Sequence, residues 1–247
     1  MITARLYQQP RFFMGGLSLL RLTERQKKIA GMLDKMECVA DIGCDHGRLG
    51  AYLSQSGLAQ RVIAADISED SLNKARNLAR RLHIEDKMQF RLGDGLGVLD
   101  GSEAQAAVIS GLSGMTITGI IQRGGAAGRI YVLQPMSEAF KLRRALLDMG
   151  YQILDEAVAD EYNGRQRFYE IIKCRWDGIR RRGEEKYLYI PQAPLVRRDG
   201  EMKGFLKHRL LVCEKALSGI KQAKNESRAE ELEKQRQFYK EGLVCLE

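Results

Sequence analysis

Apolar and polar residues succeed one another along this chain in blocks that set an order of elements. From Leu22, Thr23 stands as a cap and Ile29, Met32 and Leu33 fall on one face, so a helix is predicted with Arg25, Lys27 and Lys28 on its other side. Cys38 to Ile42 is a short apolar run, read as a buried strand that enters a Gly-punctuated turn. A helix over about 46–56 then turns Leu49, Tyr52 and Leu53 inward. The beat repeats. Arg61 to Asp66 reads as a strand, Asp70 to His83 as a helix with Leu72, Ala75, Leu78 and Leu82 inward, and Lys87 to Leu92 as a third strand. After the turn Gly93 to Leu96 come a fourth strand, Ala104 to Ile109, the turn Ser110 to Gly114 and a helix to Gln122. Arg129 to Leu133 is a fifth strand ending at Gln134-Pro135, and Ser137 is expected to cap a helix to Met149. Strands alternating with helices imply an α/β fold with a parallel sheet and right-handed crossovers.

The period then changes. Tyr151 to Val158 and Gln166 to Cys174 read as two strands around the turn-rich segment 160–165, an antiparallel edge on the parallel sheet. Gly178 to Arg198, with Arg180-Arg181-Arg182, Pro191 and Pro194, reads as an extended connector. Leu206, Leu210, Cys213, Leu217 and Ile220 recur at coiled-coil spacing, and a weaker helix over about 225–241 carries Ala229, Leu232 and Tyr239. The two helices predict a hairpin, with dimerisation through the same seam as the alternative, leaving a monomer or a homodimer open. The division expected is residues 1–176 as the main domain, with 1–37 a basic extension and helix and the first 18 residues loose, and residues 177–247 as connector and hairpin.

Charge sharpens this division. Residues 1–37 hold seven Lys/Arg against three Asp/Glu, residues 38–176 hold 17 against 17, and residues 177–247 hold 16 against 12. A neutral middle with basic flanks suits a reaction domain bracketed by surfaces for a polyanion, although solvated helix faces would give the same count. No apolar run approaches bilayer length, and polar residues interrupt the opening segment, so a cytoplasmic chain without a membrane span is expected. The five cysteines are spread without a Cys-x-x-Cys pair, which argues against disulfides and a zinc site.

The candidate chemistry lies at the strand ends. Asp41 precedes Gly43, Cys44, Asp45 and His46, and the anion at Asp45 replaces the second Gly of a dinucleotide turn. Such a turn would repel a pyrophosphate and suits a ligand with a positive or zwitterionic end, of which S-adenosylmethionine is the common one. Asp66, followed by Ile67, occupies the place of an acid that accepts both hydroxyls of a ribose. Asp94, between Gly93 and Gly95, could accept an exocyclic amine. Ser110, Gly111, Leu112 and Ser113 form a stretch whose small residues would leave room for a flat acceptor base, and Gln134 with Pro135 would form the opposite lip. Cys44 reads as a small turn residue rather than a nucleophile, and His46 as a cap rather than a base. Arg25, Lys27 and Lys28 are the cations expected to hold phosphates.

Together, Leu-Thr-x-Arg at Leu22 to Arg25, Asp41-Ile42-Gly43-Cys44-Asp45-His46, Gly93-Asp94-Gly95-Leu96, the Gly-rich turn and Leu133-Gln134-Pro135 resemble the bacterial tRNA (adenine-22-N1)-methyltransferase family, TrmK. The resemblance implies a Rossmann-like class I methyltransferase sheet, a C-terminal helical coiled-coil domain, S-adenosylmethionine as donor and tRNA as acceptor. It departs at two places: the family's Gly-Met-Gly-Gly is Gly111-Leu112-Ser113-Gly114 here, and its Gln-Pro-Asn is Gln134-Pro135-Met136. Both fall on the acceptor side. Asp45 is the candidate to stabilise or deprotonate a methylated, cationic base. A small-molecule methyltransferase and a non-catalytic RNA-binding relative are the alternatives.

Overall fold

The computed structural model describes residues 19–125, 129–223 and 226–247; the loose start expected for the first 18 residues lies outside them. α1 (Glu24–Gly31) opens on a capping box in which Thr23 accepts the Gln26 N–H and the Gln26 side chain returns to the Thr23 backbone. Strands β1 (Met36–Ile42), β2 (Ala59–Asp66), β3 (Met88–Leu92), β4 (Ala106–Ser113) and β5 (Ile130–Ser137) alternate with α2 (Arg48–Gln55), α3 (Glu69–Arg81), α4 (Gly114–Gly124) and α5 (Ala139–Asp148). Two long strands, β6 (Tyr151–Tyr162) and β7 (Gln166–Trp176), close the sheet. The order is β3-β2-β1-β4-β5-β7-β6, with β7 antiparallel to both neighbours. Central strands are apolar on both faces because helices cover both. Val39, Val62 and Val108 belong to one core layer, and Ala40, Ile63 and Ile109 to the other.

Several boundaries differ from those read in the sequence, each for a local reason. α2 begins at Arg48 rather than His46, because Asp45 and Gly47 both adopt positive φ and keep the chain in a turn. Only glycine fits at position 47: a Cβ there would lie 2.7 Å from the Cβ of Ala75 on α3. Ser110 to Ser113 is not a turn, since β4 runs through it beside β5 with a register shift around Gly111 at φ +84°. β5 likewise continues to Ser137, so Ser137 does not cap α5; the preceding residue is Glu138 in the left-handed region, with no capping bond. β6 runs further toward the hairpin tip than Val158, because cross-strand pairing persists to Tyr162, opposite Gln166, where β7 starts as read.

The connector is packed rather than extended. It folds into α6 (Lys186–Tyr189) and α7 (Gln192–Arg197), and Leu188, Tyr189, Ile190 and Leu195 enter a third core with α8 (Gly200–Ala223) and α9 (Glu226–Val244). The hairpin is antiparallel within one chain: Cys213 Sγ donates to the carbonyl of Leu232, and Gly242 lies against Leu206. Leu206, Cys213 and Leu217 of the sequence seam are buried by this packing, while the side chain of Ile220 lies outside the described residues.

A buried ionic network fastens this segment to the sheet. Arg143 on α5 donates to Glu156 on β6 at 2.7 Å and to the Leu188 carbonyl at 3.1 Å, and its Nη2 lies 2.7 Å from Glu170 on β7. Glu156 also accepts the Gln192 N–H, and Glu170 accepts from Arg209 on α8 at 2.6 Å. Burial alone would push the Arg143 guanidinium down, but the flanking carboxylates outweigh it and hold it up. Burial would likewise raise Glu170, yet Arg143 and Arg209 keep it below the usual carboxylate range. Arg143→Ala leaves two carboxylates buried beside one remaining cation and should cost about 3–5 kcal/mol in urea unfolding. Removal of the half-exposed Arg197, which pairs with Asp155 and Asp199, should cost less than about 1 kcal/mol in the same measurement.

Candidate functional site

Because β1 to β4 are parallel, their carboxyl ends open on one edge, where α/β sheets leave a crevice. There the chain encloses a cavity of about 520 Å³, a volume suited to a small ligand. Asp41, Gly43, Cys44, Asp45, His46, Asp66, Ile67, Gly93, Asp94, Gly95 and Ser110, the residues assigned to a donor from sequence, all line it, as do Gly111 and Leu112. The acidic tips of three successive strands thus face one space.

Their environments differ. Asp41 is 3% exposed and accepts the Gly50 N–H of α2 at 3.1 Å. Burial pushes its carboxyl up to about 7, the Gly50 bond offsets part of this, and the nearby charge of Asp66 adds to it. Asp66 is held by two backbone donors, Asp45 N–H at 3.0 Å and Ser68 N–H at 2.9 Å, so each oxygen keeps one further lone pair in a fixed direction. Asp94 makes an exposed pair with Arg123 at 3.1 Å. Asp45 turns its carboxylate onto His46 Nδ1 at 2.6 Å. Burial raises the Cys44 thiol further above its ordinary value, which fits a packed turn residue and not a nucleophile. Ile67, 74% exposed, gives the cavity an apolar wall.

The acceptor side departs from the sequence reading. Gln134 is fully buried and does not line the cavity; its Oε1 accepts from Arg25 Nη1 at 3.0 Å and from Gly111 N–H at 3.2 Å, and its Nε2 donates to the Pro135 carbonyl at 2.8 Å. With its amide so occupied, Gln134 stiffens the lip and does not offer itself to a base. Pro135 is buried behind it, and Ser113 caps α4 through the Thr116 N–H instead of facing the cavity. Arg25 is not a free phosphate clamp: it lies over the Tyr169 ring at 5.2 Å, touches Met136 Sδ at 3.3 Å and lines the cavity. Lys27 pairs with Glu24 at 2.5 Å and Lys28 with Glu201 on α8 at 2.7 Å, both away from the cavity.

Sequence reasoning missed six lining residues. Gln26, Ile42, Arg48, Leu49, Thr116 and Ile120 complete the walls. Arg48 and Thr116 sit in the first turns of helices that follow lining strands, a position that could have flagged them. Gln26 and Ile120 carry no such signal.

Residues 22–172 match the family model described as a methyltransferase domain. The chain is 29% identical over 156 residues to the tRNA (adenine(22)-N(1))-methyltransferase of Bacillus subtilis (strain 168), a match covering 62% of this chain and 64% of that protein's length. Two solved structures share the fold: the B. subtilis M1A22 tRNA methyltransferase TrmK, with 24% identity, a TM-score of 0.78 and 91% and 99% of the two chains covered, and M. capricolum TrmK in complex with S-adenosyl-homocysteine, with 20% identity, a TM-score of 0.77 and 92% and 99% covered.

The raised carboxyl of Asp41 makes stability depend on pH. Because the folded state holds the proton more tightly than the unfolded chain, this stabilisation is complete below about pH 4 and is lost as pH rises through about 7. Asp41→Asn can still accept the Gly50 N–H, so it should be more stable than the native protein by a few kcal/mol at pH 8 in urea unfolding, and the advantage should vanish near pH 4.

Proposed function

Because the chain belongs to the methyltransferase domain family over residues 22–172, we propose that it transfers a methyl group from S-adenosylmethionine to N1 of an adenine in tRNA. The observation that carries the donor half is the convergence of Asp41, Asp66 and Asp94 on one cavity. The name of the Bacillus relative supports the acceptor half, and position 22 with it. On this reading residues 1–176 form the catalytic unit and residues 177–247 a connector and helical hairpin. The oligomeric state is taken as monomeric, since the hairpin seam is filled by its own chain.

The residues present fit this donor. Asp41 is a carboxylate withheld from water with a single backbone donor, an arrangement that calls for a cation, and an ammonium group would supply it. Asp66 has lone pairs left for a ribose diol, and Ile67 offers an apolar face to a purine. S-adenosylmethionine, when bound, supplies an electrophilic methyl group on a sulfonium. The chain's own part is placement: the β4 bulge at Gly111, tied to Gln134, leaves Gly111 and Leu112 as a thin wall between the cavity and the β5 lip. Adenine N1 carries an in-plane lone pair and needs no base before transfer. The methylated ring is cationic, and Asp45 at the rim is the carboxylate that would balance or deprotonate it. N1 is on the pairing edge, so the target base must be unpaired or flipped out.

Incubation of the chain with labelled donor and unmodified tRNA, followed by nucleoside analysis, should yield 1-methyladenosine. Label absent from tRNA but present on small molecules would sink the acceptor assignment. Asp66→Ala should weaken donor binding by about 10- to 100-fold in calorimetry, as expected for losing hydrogen bonds to a charged group. Donor binding to the native chain near pH 7 should release a proton, because a bound ammonium favours ionised Asp41. The apparent enthalpy should therefore vary with the ionisation enthalpy of the buffer, and in Asp41→Asn it should not.

A further inference from the structure

The hairpin between β6 and β7 rises beside the acceptor lip, since β6 runs parallel to β5 and ends on the same edge of the sheet. Its tip is joined to that lip through Arg25, whose N–H donates to Glu161 at 2.7 Å and whose guanidinium reaches Gln134 and Met136. Asp160 accepts both bonds from Gln166 Nε2, and Glu161 accepts from the Arg25 backbone, so both carboxylates are held in place by neutral donors of the protein. Arg165 and Arg167 are exposed and have no ion pair or side-chain hydrogen bond among the described residues. Tyr162 is 79% exposed, the most exposed large apolar side chain among them.

An exposed aromatic ring at a tip that also carries unpaired guanidinium groups, with Arg167 on the face opposite Tyr162, is the composition that binds single-stranded nucleic acid, because bases stack on the ring while cations hold the backbone. We propose that this tip is a second contact for the RNA acceptor: Tyr162 stacks on an unpaired base near the target, and Arg165 and Arg167 hold the flanking phosphates. The basic surface continues onto α8, where Lys203 and Lys207 are exposed beside Gly204 and His208, which with Phe205 pack against Phe168 of β7. This inference rests on the reading of tRNA as acceptor. It moves RNA recognition from Lys27 and Lys28, which are paired within the protein, to groups that are not.

The test uses the full chain, an unmodified tRNA transcript, fluorescence anisotropy and steady-state kinetics. Tyr162→Ala should raise Kd and KM for tRNA about tenfold while donor Kd is unchanged, and Tyr162→Phe should restore both. Arg165→Ala with Arg167→Ala should lower the steepness of log Kd against log salt by about two. Unchanged donor binding certifies that each variant is folded. Native tRNA affinity and salt slope in Tyr162→Ala and in the double variant would overturn the proposal while leaving the methyltransferase reading intact. Failure of the native chain to bind or methylate tRNA would overturn both.

Discussion

Removing a carboxylate from water is costly unless something returns the lost solvation. Asp41 meets this cost near the end of a buried inner strand, with one backbone N–H in compensation and a neighbouring acid making matters worse. The rest of the site is arranged around that deficit. The turn after β1 is short because Gly47 lets α2 dock against α3, and the docking brings the Gly50 N–H over Asp41. Asp66 is steadied by the same turn, through the Asp45 N–H. A cationic ligand that enters here completes an electrostatic arrangement left incomplete by the protein.

The β5 lip is organised by saturation instead of deficit. Each polar atom of Gln134 has a partner, and those partners come from α1, β4 and β5. The lip is therefore a fixed edge whose shape is set within the protein. Met136, where the resembling family has Asn, sits against the Arg25 guanidinium, and its thioether takes part in holding that edge. An amide is not needed at this place for the lip to stand.

The acidic wall of the cavity was largely legible in the sequence because it is local. Asp41 and Asp66 close apolar runs and Asp94 follows the next strand, and a parallel sheet necessarily brings successive strand ends to one edge. The β5 lip was not, because its determinants are pairings between distant segments. Nothing near Arg25 reveals that its partner is Gln134, 109 residues later. Small residues at Ser110 to Gly114 look like a turn, yet neighbouring β5 supplies the hydrogen bonds that keep them in strand. The connector misled for a similar reason. Its arginines and prolines suggest solvent, while Leu188, Tyr189 and Leu195 find their core only once α8 and α9 are in place.

The ionic knot of Arg143, Glu156 and Glu170, all buried, with the half-buried Arg209 spans α5, β6, β7 and α8, with the Leu188 carbonyl and Gln192 N–H drawn in. A swing of the paired helices would strand those charges, so the hairpin travels with the sheet as an outrigger travels with its hull. The spacing between its anchored base at Arg209 and the cavity is then a fixed ruler. Any macromolecule that spans both must bend itself to that length.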